Sequence, residues 1–330
     1  APRDALAVQR HLAPGIVRKV AFKVEEPGQQ ALTAEVLWRG ADGCYTEGSR
    51  SNLFAVLGER VLTPPVDGRI LAGVTRGALI EAVLLHYEGR STVCVSTQAG
   101  CAMACGFCAT GQMGFDRHLS TGEIVEQVIR AQLEADDRRV SNVVFMGMGE
   151  PLANYDRTWA AVERLHGDLG LSARHLTIST VGMIPGIRRL ATERLPVNLA
   201  VSLHAADDDL RDELVPINRR HPLADLAEPC TEHVAATGRR LSFEWALIHD
   251  VNDRLEDAGR LAAYARPLGA HVNLIPLNPT PGWPTRGSSP ARVREFANEI
   301  RSRGGNVTIR RTRGTDIDAC LLYTSDAADE

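Results

Sequence analysis

The 330-residue sequence contains no apolar run close to the roughly 20 residues that a membrane helix needs. It also has no excess of positive charge, since its formal net charge is −4. A membrane protein is therefore not expected, and any contact with nucleic acid has to come from a local basic patch. Candidate patches are the arginine clusters at residues 188–189, 219–220, 239–240 and 310–313.

Cysteine usage indicates the compartment. The sequence has seven cysteines, an odd number, and no N-terminal signal segment is visible. This usage is typical of a chain in a reducing cytosol and not of a disulfide-linked secreted domain. We therefore expect a cytoplasmic protein. With 44% hydrophobic residues, the chain is long enough to bury one large core or two ordinary ones.

Three of the cysteines are closely spaced, and no second pair lies near them. Cys101, Cys105 and Cys108 form a CxxxCxxC run with an aromatic residue before the last cysteine. Tetrahedral zinc sites and complete iron–sulfur sites use four protein ligands. Three thiolates therefore predict a four-iron cluster whose fourth iron has no protein ligand and binds another molecule. A structural zinc site and three unrelated buried thiols are the alternatives.

Beyond about residue 92, short runs rich in β-branched residues alternate with longer amphipathic stretches. This alternation predicts βα units around a parallel sheet, and hence a full or partial (β/α) barrel with its active site at the C-terminal ends of the strands. The predicted strands are 92–96, 142–146, 176–180, 197–203, 241–248, 271–276 and 306–310. The predicted helices include 121–133, 158–165, 224–236 and 291–301.

Polar residues and glycines follow several of these strands. A glycine-rich turn after the second strand contains Gly149 and Glu150, and Ser179, Ser202 and Asn278 come at or just beyond the ends of later strands. Because the strand ends meet at one edge of a barrel, these residues predict a cofactor pocket with apolar walls and a few polar anchors.

Seven sequence elements follow one another between residues 77 and 319. They are Gly77-Ala-Leu-Ile-Glu81, Cys94-Val-Ser-Thr-Gln-Ala-Gly-Cys101, Gly114-Phe115, Thr121-Gly-Glu-Ile124, Met146-Gly-Met-Gly-Glu-Pro151, Ser202-Leu-His-Ala205 and Arg311-Thr-Arg-Gly-Thr-Asp-Ile-Asp318. In this order they resemble the radical S-adenosylmethionine (SAM) RNA adenine-C2 methyltransferases. The resemblance implies an α/β fold, namely a partial (β/α) barrel of the radical-SAM type.

The resemblance also implies the cofactors and the site. Cys101, Cys105 and Cys108 would hold a [4Fe-4S] cluster, Glu81 would be a proton acceptor, and two SAM molecules would be used in each turnover. An electron donor such as a flavodoxin and a monomeric enzyme are expected. The residues implied to contact SAM are Gly149, Glu150, Ser179, Ser202, Leu203, His204 and Asn278.

In this family, a cysteine near the C-terminus takes a methyl group from one SAM and carries it to adenine. An aromatic C–H carbon is too weakly nucleophilic to attack SAM, so the family cleaves a second SAM into a deoxyadenosyl radical that activates the S-methyl group. This radical takes a hydrogen atom from the S-methyl group, and the resulting carbon radical adds to the adenine ring. A base such as Glu81 then removes the ring proton, and a second thiol releases the protein–RNA adduct by forming a disulfide with the carrier cysteine. The target adenine, in ribosomal or transfer RNA, has to be unstacked.

The motifs do not separate this activity from two alternatives. One is the sister reaction at C8 of adenine, which uses the same cluster, SAM site and carrier cysteine. The other is a cluster-bearing module that binds RNA and SAM without methylation.

The C-terminus departs from the family pattern. A single Ala319 precedes Cys320 where the family has two alanines, so Cys320 lies one position early. Residues 320–330 resemble the translation of a sequencing adapter, which predicts that the natural coding sequence breaks off after Ala319. Cys320 is either the methyl carrier of the family or, if the tail comes from an adapter, an accidental, exposed thiol beside the catalytic position.

The N-terminus departs as well. The stretches Gly43-Cys-Tyr-Thr-Glu47, Val61-Leu-Thr-Pro-Pro65 and Gly73-Val-Thr75 resemble class IV pyridoxal-phosphate aminotransferases and predict a small β-rich segment. The Schiff-base lysine of that family has no counterpart near residues 13–15, so aminotransferase activity is not expected.

The junction between the two resemblances is either a genuine fusion or a joining of unrelated reads, with the seam near a helix predicted over residues 75–82. The predicted division is an aminotransferase-like fragment at residues 1–76, a radical-SAM methyltransferase domain at 77–319 and an artefactual tail at 320–330.

Overall fold

The computed structural model describes residues 80–310 except 88, 136, 279–283 and 285, together with five short strands of the preceding segment. These strands are β1 (Arg18–Phe22), β2 (Leu37–Arg39), β3 (Tyr45–Gly48), β4 (Ala55–Leu57) and β5 (Arg60–Leu62). Four of them form the antiparallel pairs β2–β3 and β4–β5, so the predicted β-rich N-terminal segment is present. The chain divides into two compact units, residues 1–16 with 21–80 and residues 17–20 with 81–330.

The larger unit is built on a mixed sheet. Its strands are β6 (Ile80–Tyr87), β7 (Arg90–Cys94), β10 (Val140–Phe145), β11 (Leu176–Thr180), β12 (Asn198–Ser202), β13 (Leu241–Leu247), β14 (His271–Pro276) and β15 (Asn306–Ile309), while β8 (Gln98–Gly100) and β9 (Phe115–His118) form a separate hairpin. From β6 onward the order is β6-β7-β10-β11-β12-β13-β14-β15. β6 is antiparallel to β7, and all later pairs are parallel.

Helices connect the parallel strands. They are α1 (Ala109–Gln112), α2 (Thr121–Glu134), α3 (Tyr155–Gly167), α4 (Ile184–Ala191), α5 (Asp208–Leu214), α6 (Leu223–Thr237), α7 (Leu255–Ala265) and α8 (Pro290–Ser302). This succession of strand and helix is a partial barrel, which confirms the predicted fold class.

Local sequence explains where helix α2 begins and which face it buries. Ser120 caps the helix: its hydroxyl accepts from the Glu123 amide, and the Glu123 carboxylate accepts from the Ser120 amide. The buried side chains recur with helical spacing, at Ile124, Gln127, Val128 and Ala131. One face of the helix therefore packs inward while the opposite face meets solvent.

The seven strands and four helices predicted beyond residue 92 are all present, with ends that differ from the observed ones by three residues at most. Helices α1, α4, α5 and α7 and the β8–β9 hairpin were not predicted. The helix predicted over 75–82 is wrong for residues 80–82, which begin β6, and residues 75–79 lie outside the described residues. β6 forms because its side chains are buried against the sheet and its backbone pairs with β7.

In the part of the chain that the structure describes, no helix combines the length and the apolarity that crossing a bilayer requires.

Two leucines offer a matched test of this packing. Leu165 of α3 is fully buried, whereas Leu133 of α2 is 72% exposed. Leu165→Ala is expected to lower the free energy of unfolding by about 2 to 5 kcal/mol because it leaves a cavity. Leu133→Ala is expected to change it by about 0.5 kcal/mol or less. Urea unfolding of both variants measures the difference, and equal losses would contradict the predicted packing.

Candidate active site

The three cysteines lie in one loop that the β8–β9 hairpin closes. Gly100 of β8 is paired with Phe115 of β9, and the Cys101 amide donates to the Gly114 carbonyl at 2.7 Å. At Gly100, φ is +76°, and a Cβ atom there would come within 2.1 Å of the Gly114 oxygen. A residue with a side chain would therefore force the base of the loop open.

The three cysteines of the loop face one cavity. Cys101, Cys105 and Cys108 all line a cavity with a volume of about 110 Å³. Burial raises the pKa of Cys101 to about 12, and burial together with the neighbouring thiols raises the pKa of Cys105 further. Thiolates in this setting need compensating positive charge, which bound iron supplies. Three converging thiols with that requirement fit a [4Fe-4S] cluster held by three protein ligands.

The glycine-rich turn after β10 forms the second wall. Gly149 has φ +100°, and a Cβ atom at this position would lie 2.5 Å from the Gln98 side chain. The same Gln98 accepts from the Glu150 amide at 2.9 Å. The turn thus packs directly on the strand that precedes the cysteine loop, and both Gly149 and Glu150 line the cavity.

The Glu150 carboxylate joins two neighbouring strand ends. It accepts from the Leu152 amide at 2.9 Å and from the Val181 amide, which follows β11, at 2.8 Å. The side chain is buried, and burial raises its pKa to about 7 despite these hydrogen bonds. A cationic group that binds in the cavity would favour the charged carboxylate.

Hydroxyl and carboxylate groups continue along the next strands. The Ser179 hydroxyl of β11 lies 3.5 Å from the Ser202 hydroxyl of β12. Ser202 is the register partner of Glu244 on β13, and Asn273 of β14 donates to the Glu244 carboxylate at 2.7 Å. Ser179, Ser202 and Glu244 all line the cavity. The sheet therefore presents a row of hydrogen-bonding groups across adjacent strands.

His204 is held in one tautomer. Its Nδ1 accepts from the Ala246 amide at 3.0 Å, so Nε2 carries the ring proton. Burial, and to a lesser extent Arg211, lower its pKa to about 3. The ring packs edge-on against Phe107, with 4.8 Å between centroids, and His204 lines the cavity. It offers a neutral N–H donor to a ligand.

Three of the predicted site residues do not line the cavity. The Leu203 side chain is fully buried, and its amide donates to the Glu244 carbonyl at 3.0 Å. Asn278 is buried just beyond β14. Glu81 lies on β6, where its carbonyl accepts from the Ser96 hydroxyl. A fourth predicted residue, Cys320, lies outside the described residues.

Sequence reasoning missed some groups that the structure brings to this site. Glu244 lines the cavity, and Arg211 lies fully buried behind it. Glu244 did carry a signal, since it is the one charged residue in the mostly apolar strand β13. Arg211 carried no such signal, because an arginine is common on the exposed face of a short helix. Phe107 and Arg310 also line the cavity, although the sequence indicated only a cysteine spacing and a basic patch there.

The described cysteines, Cys94, Cys101, Cys105, Cys108 and Cys230, are all free thiols, so no disulfide is supported among them.

Comparisons with known proteins agree with this geometry. The profile of the radical SAM superfamily matches residues 95–262. A protein of Frankia alni called probable dual-specificity RNA methyltransferase RlmN is 52% identical over 83% of this chain and 70% of its own length. Its namesake in Thermobifida fusca is 49% identical over 85% of this chain and 82% of its own length. The chain belongs to the radical SAM superfamily and, within it, to the RlmN-type RNA methyltransferases.

A solved structure shares the fold. A radical SAM methyltransferase from Sphaerobacter thermophilus superposes with a TM-score of 0.72 and 49% identity over 74% of each chain. The membership makes this protein an SAM-dependent methyltransferase with a [4Fe-4S] cluster. The profile of class IV aminotransferases matches residues 12–90, in line with the N-terminal resemblance.

A matched pair of cysteine variants tests the cluster ligands. Cys105 lines the cavity, whereas Cys230 of α6 is also buried and is not among its lining residues. After oxygen-free reconstitution, we expect about four iron atoms per chain in the unmodified protein and in Cys230→Ser, and a large loss in Cys105→Ser. Iron analysis and absorption spectra provide the measurement. Equal iron content in both variants would argue against the assigned ligands.

Proposed function

We propose that this chain methylates C2 of an adenine in ribosomal RNA, and in transfer RNA as well, through a methylated cysteine and with two SAM molecules per turnover. The observation that carries the proposal is the convergence of the three loop cysteines with Glu150, Ser179, Ser202 and His204 on one cavity. Relatives named as dual-specificity RNA methyltransferases support RNA as the substrate.

The residues around the cavity have distinct proposed roles. Cys101, Cys105 and Cys108 would hold the cluster, which when bound supplies the electron for reductive cleavage of SAM. The Glu150 carboxylate would bind the ammonium group of SAM. Its oxygens can accept further hydrogen bonds, and a buried carboxylate accepts most strongly from a cationic donor. The serine hydroxyls and the Nε2–H of His204 suit polar atoms of the nucleoside.

Glu81 is the proposed base for the adenine ring proton. Its backbone is tied to Ser96, which lies just beyond β7 and a few positions before the cysteine loop. Ser96 is in turn fixed by Gln127, which bonds both its amide and its carbonyl. These contacts hold the start of β6 beside the strand that leads into the cluster loop, which supports a role near the substrate.

The remaining assignments complete the proposal. The barrel segment at 77–319 would carry the activity, and the aminotransferase-like segment at 1–76 would not contribute to it. A flavodoxin-like protein would supply the electron. The enzyme would act as a monomer in the cytoplasm.

The carrier cysteine is open to a direct test. Without oxygen, the reconstituted protein is given SAM with a labelled methyl group and an RNA that contains an unpaired adenine. Three proteins are compared: the unmodified chain, Cys320→Ala, and a variant with one alanine inserted between Ala319 and Cys320. We expect the insertion to raise methylation because it restores the spacing of the family, and Cys320→Ala to abolish it. Equal methylation with and without Cys320 would contradict its role as carrier.

Mass spectrometry of the digested RNA distinguishes the alternatives in the same experiment. A methyl group at C2 supports the proposal, and one at C8 replaces it with the sister activity. Formation of 5′-deoxyadenosine without RNA methylation in all three proteins would indicate the cluster-bearing module that binds RNA and SAM without methylation.

A further inference from the structure

Arg211 is a fully buried cation directly behind the cavity wall. It lies in α5 and has no exposed surface. Its guanidinium donates to backbone carbonyls at the C-terminal ends of two adjacent strands. Nε donates to the Leu203 carbonyl at 3.0 Å, and Nη2 donates to those of Val181 and Ser202 at 2.7 and 3.4 Å.

The charge of Arg211 is compensated only indirectly. Within the described residues, no carboxylate forms an ion pair with it. Nη1 donates at 2.6 Å to the Asn218 amide oxygen, and Asn218 donates in turn to Asp208 and Asp212 at 2.9 and 2.7 Å. Burial accordingly lowers the pKa of Arg211. A buried cation without a paired anion is costly, so stability alone does not account for an arginine here.

The segment that Arg211 holds is strained and needs anchoring. His204, at its end, is a non-glycine residue with φ +58°. Its carbonyl accepts from the side chain of Asn252 at 2.7 Å. The carbonyls of Ser202, Leu203 and His204 therefore all receive hydrogen bonds from buried side chains. Three anchors on three consecutive carbonyls fix the path of the backbone where Ser202 and His204 enter the cavity.

We propose that Arg211 is a positioning residue. Its planar guanidinium fixes the backbone of the segment 202–204 and of Val181. It thereby sets the orientation of Ser202 and His204 toward the bound cofactor and keeps the Glu150–Val181 hydrogen bond in place. That SAM contacts these residues of the cavity rests on the proposed function. Lysine has the same charge but a single nitrogen on a flexible stem, and it does not reproduce the fork that spans two strand ends.

The first arm of the test needs no cofactor. Amide hydrogen exchange is measured by mass spectrometry on cluster-free protein for the unmodified chain, Arg211→Lys and Arg211→Met. Ile300→Val is the control, because Ile300 is equally buried but lies in α8 beside Gly305, which precedes the N-terminal end of β15. We expect exchange in peptides covering 199–206 to rise in both Arg211 variants and to stay unchanged in the control.

The second arm measures binding. Equilibrium dialysis of the reconstituted proteins without oxygen gives the Kd for SAM, and we expect an increase of about 10- to 100-fold in both Arg211 variants and none in the control. If the unmodified protein does not bind SAM, the proposed function fails, and the exchange arm still decides the role of Arg211.

Several outcomes would overturn the positioning role. Exchange in 199–206 that matches the unmodified protein would do so, as would an increase spread evenly over the chain. Unchanged exchange and affinity in Arg211→Lys would show that charge suffices and that the fork is not needed. If Arg211→Met does not fold, the same two measurements on Arg211→Lys alone decide whether Arg211 has the positioning role.

Discussion

The parallel hydrogen-bonded ladder β7-β10-β11-β12-β13-β14-β15 is the constraint on which the rest of the molecule depends. Each pair in that ladder has a fixed register, so the residues that follow the strands meet at one edge. The cysteine loop, the Gly149–Glu150 turn and the segment 202–204 are far apart in the chain and lie around one cavity for this reason. A shift of one residue in any pair would turn inward-facing groups outward.

Two buried polar side chains at the cavity are held by hydrogen bonds to the backbone. Glu150 and Arg211 are both buried, and each joins loops that leave two different strands. In a medium of low dielectric constant, such groups are costly unless they are satisfied, and once satisfied they rigidify their surroundings. The cavity wall is thus held in place by buried polar side chains, of which Glu150 lines the cavity and Arg211 does not.

Much of this architecture could be predicted from sequence. Strands buried on both faces appear as short apolar runs, and a repeated strand–helix alternation leaves few topologies. The cysteine spacing predicted the cluster loop without knowledge of the fold. β6 was mistaken in part for a helix because a single apolar run does not reveal its period, and pairing with β7 decides its conformation.

The detailed arrangement of the site could not be predicted from such patterns. Leu203 belongs to the predicted SAM segment, yet its side chain faces the core and its backbone provides the link to Arg211 and Glu244. Arg211 bonds Leu203 and Val181, 8 and 30 positions earlier, and Glu244 accepts from Asn273, 29 positions later. No local pattern encodes partners at such separations.

The fixed tautomer of His204 has a consequence for the chemistry of the cavity. Imidazole is the usual proton acceptor near neutral pH, but here its basic nitrogen is already occupied by the Ala246 amide. The ring is therefore barred from acting as a general base, and it meets a ligand only as a donor. The reaction proposed for this chain therefore needs a base other than His204, so proton removal and donation to the ligand belong to different side chains.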